Sequence, residues 1–282
     1  MPHDSHHSVN RAYAGYWERA QWPLQGLYFL LPLLVLYELG TLWLAPEGSD
    51  RLSPNLAENM LRKCFDEIGV TGVYLPAIIV VVVLLSMHLV RRRDPWRPEL
   101  KLYGVMWAET FAWALPLFVF QMVLIREFAG TPQPIPADVV MLAAQGSSSE
   151  DWRDFLVFSV GAGIYEELLF RLIGIALLHM LLVDVLALPE KHSGSATIIL
   201  TALAFAMYHF VKLDPGYRFG FVIEGFEWGR FAFFTLAGVY LAMIYVIRGF
   251  GLVVGAHALY DIMVVWHNYD LTGRIMDFFR AN

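Results

Sequence analysis

Tyr165-Glu166-Glu167-Leu168-Leu169-Phe170-Arg171 places two adjacent carboxylates and an arginine inside a predominantly apolar run from Phe155 to Val183. A charged side chain near the middle of a bilayer helix costs about 3 kcal/mol by insertion measurements, so three within one and a half turns point to function. In a helix Glu167 lies over Arg171, four residues on, with the acid toward the N-terminus, the favourable order for an ion pair. Glu166 is rotated by about 100° and has Leu169 and Phe170 at its own neighbouring positions. The geometry predicts that Glu167 and Arg171 neutralise each other as structural support, leaving Glu166 to work with groups from other helices. A wholly structural charge cluster holding a bundle together is the alternative.

The rest of the chain sets that stretch in a membrane. Of 282 residues 57% are hydrophobic and 16% charged, with a mean hydropathy of +0.52, too apolar for an ordinary soluble domain. We therefore expect an all-α, polytopic transmembrane helical bundle, with residues 1–22 a polar tail and 23–282 a single membrane-embedded domain. The net charge of −6 and the lack of a basic stripe with interleaved aromatics argue against a nucleic-acid partner. A single cysteine, Cys64, excludes an internal disulfide and a thiolate cluster. The first twenty residues lack the pattern of a signal peptide. His3, His6 and His7 there form a weak metal-binding candidate.

About seven spans are predicted: Pro23–Leu44, Val70–Val90, Leu102–Ile125, Phe155–Val183, Ala196–Leu213, Phe231–Ile247 and Leu252–Trp266. Between the first two, Leu56, Met60, Leu61, Phe65 and Ile68 fall at helical spacing among charges, which predicts an amphipathic helix on the membrane surface. Glu38, inside the first span, reads either as a partner of the site or as a carboxylate reaching the interface near a helix end, and the interfacial reading is preferred. Glu109 lies within the third span, and Pro116 predicts a kink there. The segment Arg126 to Asp151, rich in proline and serine, reads as an external loop, and the glycine-bearing stretch after Leu213 reads as a loop aromatic enough to lie at the interface or dip back into the bundle. Arg91-Arg92-Arg93 at the end of the second span marks the cytoplasmic side, which puts the N-terminus in the cytoplasm.

Three spans carry polar groups at helical spacing: Glu166 with Glu167 and Arg171, His209 one turn after Phe205, and His257 one turn before Asp261. Polar groups in a bundle turn inward, so the economical arrangement gathers them around one wet cavity. Glu166 is suited to act as a general base on water, His209 to share the proton, and His257 with Asp261 to face a developing oxyanion. Asp261 either donates to that oxyanion, the preferred reading, or stays ionised to orient His257. His179 points to a different face of its helix from Glu166 and reads as a span-end residue. No serine or cysteine has the neighbours of an activated nucleophile. As drawn, the spans put His209 toward one end of its helix, His257 toward the other side of the membrane and Glu166 near mid-depth.

The three motifs resemble, in order, those of the CAAX-protease and bacteriocin-processing family, often called CPBP or Abi: Glu166-Glu167-x-x-x-Arg171, Phe205-x-x-x-His209 and His257-x-x-x-Asp261. The resemblance covers about Phe155 to Trp266. It implies a helical intramembrane endopeptidase that cleaves membrane-associated proteins or peptides without a cofactor. The first Glu would activate water, the first His assist it, and the last His with its partner form an oxyanion site. Two alternatives stay open. One is a zinc protease drawing its ligands from Glu166, His209, His257 and Asp261; the other is a membrane scaffold or transporter whose charges stabilise the bundle.

Overall fold

The structure is a computed structural model that describes residues 15–44, 55–72, 74–91, 94–127, 152–214, 220–223 and 225–268. His3, His6 and His7 and most of the predicted 126–151 loop lie outside them. In order come α1 (Tyr16–Arg19), α2 (Pro23–Leu44), α3 (Leu56–Glu67), α4 (Leu75–Val90), α5 (Leu100–Glu127), α6 (Trp152–Val185), α7 (Glu190–Tyr208), a short hairpin of β1 (Val211–Asp214) and β2 (Gly220–Ile223), α8 (Trp228–Arg248) and α9 (Phe250–Asn268). Among the described residues the architecture is all-α apart from that hairpin.

A helix stands at each of the seven expected positions. Five of them are long and apolar enough to cross a membrane: Pro23–Leu44, Leu100–Leu124, Arg153–Val185, Trp228–Arg248 and Phe250–His267. The other two differ from expectation for local reasons. α4 begins only at Leu75, after Gly69 and Gly72, with Pro76 in its first turn, where a missing N–H is tolerated. Its 16 residues reach about 24 Å at 1.5 Å per residue, short of a hydrocarbon core of about 30 Å. α7 starts earlier than predicted, because Glu190-Lys191-His192-Ser193 forms its first turn, and that polar turn lowers its apolarity.

The helices are apolar on both sides, as a bundle in lipid requires. On α2, Leu30, Leu33, Leu34 and Tyr37 are buried while Leu31, Val35, Leu39 and Trp43 face outward. α5 runs unbroken through Pro116. α3 is the amphipathic helix expected, capped by Asn55, whose side chain accepts from the N–H groups of Ala57 and Glu58. Its buried face is not purely apolar: Glu58 accepts from Tyr37 of α2 and pairs with Arg62. Residues 15–22 belong to the predicted tail, yet Ala20 and Trp22 are buried against the bundle.

α9 sits at the centre, packed against α6, α5, α2 and α8. Small residues permit this. A Cβ on Gly163 of α6 would lie 2.7 Å from the backbone nitrogen of Ala258 on α9, and one on Gly238 of α8 would lie 3.0 Å from Cα of Ala202 on α7. The first approach matters most, since Gly163 stands one turn before Glu167 and Ala258 directly follows His257.

The predicted loop after α7 is replaced by the hairpin, with Val211 opposite Ile223 and Asp214 opposite Gly220. Val211, Val222 and Ile223 suit an extended backbone. The predicted fifth span therefore stops at Tyr208 and does not reach Leu213.

Candidate active site

α6 does not stay a regular helix. It is α-helical to Glu167, π-helical from Leu168 to Ile175, α-helical over Ala176–Met180 and π-helical again over Leu181–Val185. The widened turn begins on the residue after the acidic pair. π-turns inside helices recur at functional sites, and periodicity in the sequence does not announce them.

Three helices deliver the predicted residues to one place. Oε2 of Glu166 lies 3.9 Å from Nε2 of His209 on α7 and 3.9 Å from Nε2 of His257 on α9. Oδ2 of Asp261 lies 3.5 Å from the same His257 nitrogen. All four side chains are nearly sealed from solvent, with exposures of 3 to 6%. The expected difference in depth does not occur: His209, directly after the last turn of α7, is level with the acidic pair.

The hydrogen bonds settle which ring nitrogens carry protons. Nδ1 of His209 lies 2.7 Å from the backbone oxygen of Phe205, which can only accept, so Nδ1 donates. Nδ1 of His257 lies 2.7 Å from Oε1 of Glu167 and donates to it. In the neutral form of each ring, Nε2 is left as a lone pair turned toward Glu166. A separation of 3.9 Å is too long for a direct hydrogen bond, and has room for one water about 2.8 Å from each group.

Glu167 does more than the sequence indicated. Its Oε2 meets Nε of Arg171 at 3.1 Å, the predicted ion pair, while Oε1 holds His257. The carboxylate thus ties the site to its counter-ion. Arg171 is 1% exposed; Nη2 donates to the backbone oxygen of Gly238 at 3.3 Å, and the guanidinium lies 4.2 Å from the centre of the Phe205 ring, within cation–π range. The charge that supports Glu167 is therefore held by α7 and α8 as well as by its own helix.

Some contributors carried no sequence signal. The ring of Phe234 on α8 stacks on His209, with centroids 3.9 Å apart and planes 16° apart; in the sequence it is one phenylalanine among several. Glu38 accepts from the hydroxyl of Tyr165 at 3.1 Å, one residue before Glu166. That corrects the interfacial reading: this carboxylate reaches inward to α6, and the adjacent Tyr37 packs edge-on against Tyr165 with centroids 5.2 Å apart. His179 stays apart from the cluster, on the α-helical turn between the two π segments. Cys64 is exposed on α3.

The alternative zinc ligands Glu166, His209, His257 and Asp261 are the same four side chains that converge here. Both imidazoles have Nδ1 held by acceptors, as metal-binding histidines do. Even so, among the described residues no group of three or more His, Cys, Asp or Glu side chains is placed to hold a metal ion.

Comparison with known proteins agrees with the motifs. Residues 148–263 match the model of the Rce1-like family, described as type II CAAX prenyl endopeptidase Rce1-like. The match spans less than half of the 282 residues, contains all three motifs, and is consistent with the resemblance to the CAAX-protease and bacteriocin-processing family. The family implies a protease, and with five apolar helices it supports an integral membrane protein. No curated protein and no solved structure matches the chain.

Proposed function

We propose that this protein is an intramembrane endopeptidase in which Glu166 activates a water molecule for attack on a peptide bond of a membrane-associated substrate. The observation that carries the reading is the placement of Glu166 Oε2 at 3.9 Å from two histidine nitrogens whose partners fix their tautomers. Water held between Glu166 and His209 gives a proton to the carboxylate as its oxygen bonds to the substrate carbonyl carbon. The oxyanion so formed faces His257, whose Nε2–H donates to it when the ring is protonated. Glu167 at Nδ1 and Asp261 near Nε2 balance that imidazolium charge. The C–N bond then breaks and Glu166 returns its proton to the leaving amine. Phe205 and Phe234 fix the His209 ring.

Among the substrates open to this chemistry are prenylated C-terminal peptides, suggested by the name of the matching family, leader peptides and membrane-anchored C-terminal tags. With Arg91-Arg92-Arg93 on the cytoplasmic side, the N-terminus is cytoplasmic.

The test is Glu166→Gln. It should reduce proteolysis by roughly 1000-fold, within the range for losing a general base, with folded yield unchanged. Comparison of membrane and secreted proteins from cells carrying wild type or Glu166→Gln should reveal uncut substrates with a common sequence at the retained termini. Proteolysis by pure Glu166→Gln at the wild-type rate would end the proposal. Activity should survive removal of divalent ions; loss on chelation, reversed by one equivalent of zinc, would favour the metalloprotease instead.

A further inference from the structure

A cavity unrelated to the acidic cluster lies where four helix ends meet. It is lined by Trp22, Pro23 and Gly26 at the start of α2, Leu84, Met87 and Arg91 at the end of α4, Tyr245 and Val246 at the end of α8, and Gly249, Phe250 and Gly251 at the turn into α9, with Ala20 and Gln21 at its edge. Three of these ends belong to helices long and apolar enough to cross a membrane, and a span end is where lipid headgroups meet the hydrocarbon. Its volume is about 210 Å³. At roughly 30 Å³ per water it holds about seven waters, enough for a headgroup and too little for acyl chains. Beside it glycines bring α2 and α9 close together: a Cβ on Gly251 would lie 3.0 Å from Cα of Gly26.

The lining is divided in polarity. Leu84, Met87, Val246 and Phe250 make an apolar side, and Val246 is 57% exposed on the lipid face of α8. Arg91 supplies a cation and no lining residue is acidic. Among the described residues the Arg91 side chain has neither an ion pair nor a hydrogen bond, unlike the buried Arg171 and Arg248. In the sequence Arg92 and Arg93 follow it. A single cation beside a headgroup-sized space with an apolar exit matches a molecule that is anionic at one end and aliphatic at the other. Basic pockets between helix ends take anionic phospholipids on the same principle.

We propose that this cavity binds the headgroup of one anionic phospholipid, with the phosphate on Arg91 and the acyl chains running out along Leu84, Met87 and Val246. The site is independent of the proteolytic reading, since it shares no residue with the acidic cluster.

The test is native mass spectrometry of the full chain in neutral detergent, titrated with dioleoylphosphatidylglycerol, dioleoylphosphatidylcholine or inorganic phosphate. One phosphatidylglycerol should bind ahead of any phosphatidylcholine. Arg91→Gln should weaken that first binding about fivefold, the scale of one basic side chain at an anionic surface. Lys101→Gln, at an exposed position on the same end of the bundle, should change it by less than about twofold. Met87→Trp, which fills the cavity from the apolar side, should also remove the first bound lipid and serves if Arg91→Gln does not fold. Equal weakening by Arg91→Gln and Lys101→Gln would show surface attraction only and overturn the proposal. So would inorganic phosphate binding at Arg91 as tightly as the lipid, or indifference of the first bound lipid to both Arg91→Gln and Met87→Trp.

Discussion

Two of the charge clusters among the described residues are built to opposite plans. At the end of α8, Arg248 is 0% exposed and its donors are spent on close acceptors. Nε and Nη2 meet the two oxygens of Glu109 at 2.6 and 2.9 Å, and Nη1 meets the backbone oxygen of Trp17 at 2.9 Å. The Trp17 ring lies 3.9 Å from the guanidinium carbon, and Glu109 also accepts from Tyr16 and Trp113. Burial, and then the hydrogen bond to Glu109, holds the Tyr16 phenol above its ordinary range, so it remains a neutral donor. Around Glu166 the two histidine nitrogens stand 3.9 Å from Oε2. Closed geometry holds helices together; gaps of one water leave groups able to exchange protons. The first cluster is one ion pair with its donors, whereas the second gathers Glu166, Glu167, Arg171 and Asp261 around two histidines, and the proposed chemistry rests on that difference in spacing.

The comparison can be broken with one substitution in each cluster. Glu166→Gln should lose roughly 1000-fold in turnover with no fall in thermal stability. Arg248→Ala should destabilise by up to about 3 kcal/mol, because it leaves the half-buried Glu109 without its counter-ion. Its surviving folded fraction should turn over normally. Unfolding in detergent, followed together with specific activity per folded molecule, separates the two effects. If Glu166→Gln unfolded as readily as Arg248→Ala, the contrast would fail.

Glu167 belongs to both plans and sharpens the comparison. It closes an ion pair with Arg171 and also holds His257. Glu167→Gln should therefore cost stability, up to about 3 kcal/mol for a stranded buried arginine. It should also lower turnover per folded molecule by about tenfold, since a neutral amide holds the His257 tautomer less firmly. Loss of stability alone would return Glu167 to the purely structural role that helical spacing suggests.

Much of this could be read before the fold was known, and the boundary has a physical cause. Spacing within one helix states which side chains share a face, so Glu167 with Arg171 and the three motif-bearing helices were legible. It says nothing of how close two helices come. The pairing of Glu167 with His257 depends on Gly163 admitting the backbone of Ala258, and Glu109 with Arg248 joins residues 139 apart in the chain. Phe234 over His209 is likewise a cross-helix event. The π-turns after Glu167 were hidden for a different reason: the apolar run from Leu168 is compatible with either turn. Membrane helices also bury apolar faces on both sides, which erases the amphipathic stripe that would orient them in a soluble protein.

Asp261 provides the finest test, because its two possible roles differ by one proton. If it donated to the oxyanion, Asn would serve as well or better near neutral pH, since an amide donates without protonation. The structure sets Oδ2 3.5 Å from Nε2 of His257, on the nitrogen that must itself donate to the oxyanion. A carboxylate so placed balances an imidazolium more readily than it competes for the same oxyanion. Asp261→Asn would keep the shape and remove the charge, and Asp261→Ala would remove both. On the charge-balance reading each should lower the catalytic constant by about tenfold, a smaller loss than the roughly 100-fold or more expected for removing an oxyanion donor. The Michaelis constant should stay near that of wild type. Measuring both variants from pH 5 to 9 decides between the roles: an Asn variant at wild-type turnover beside a strongly impaired Ala variant would restore Asp261 as a donor.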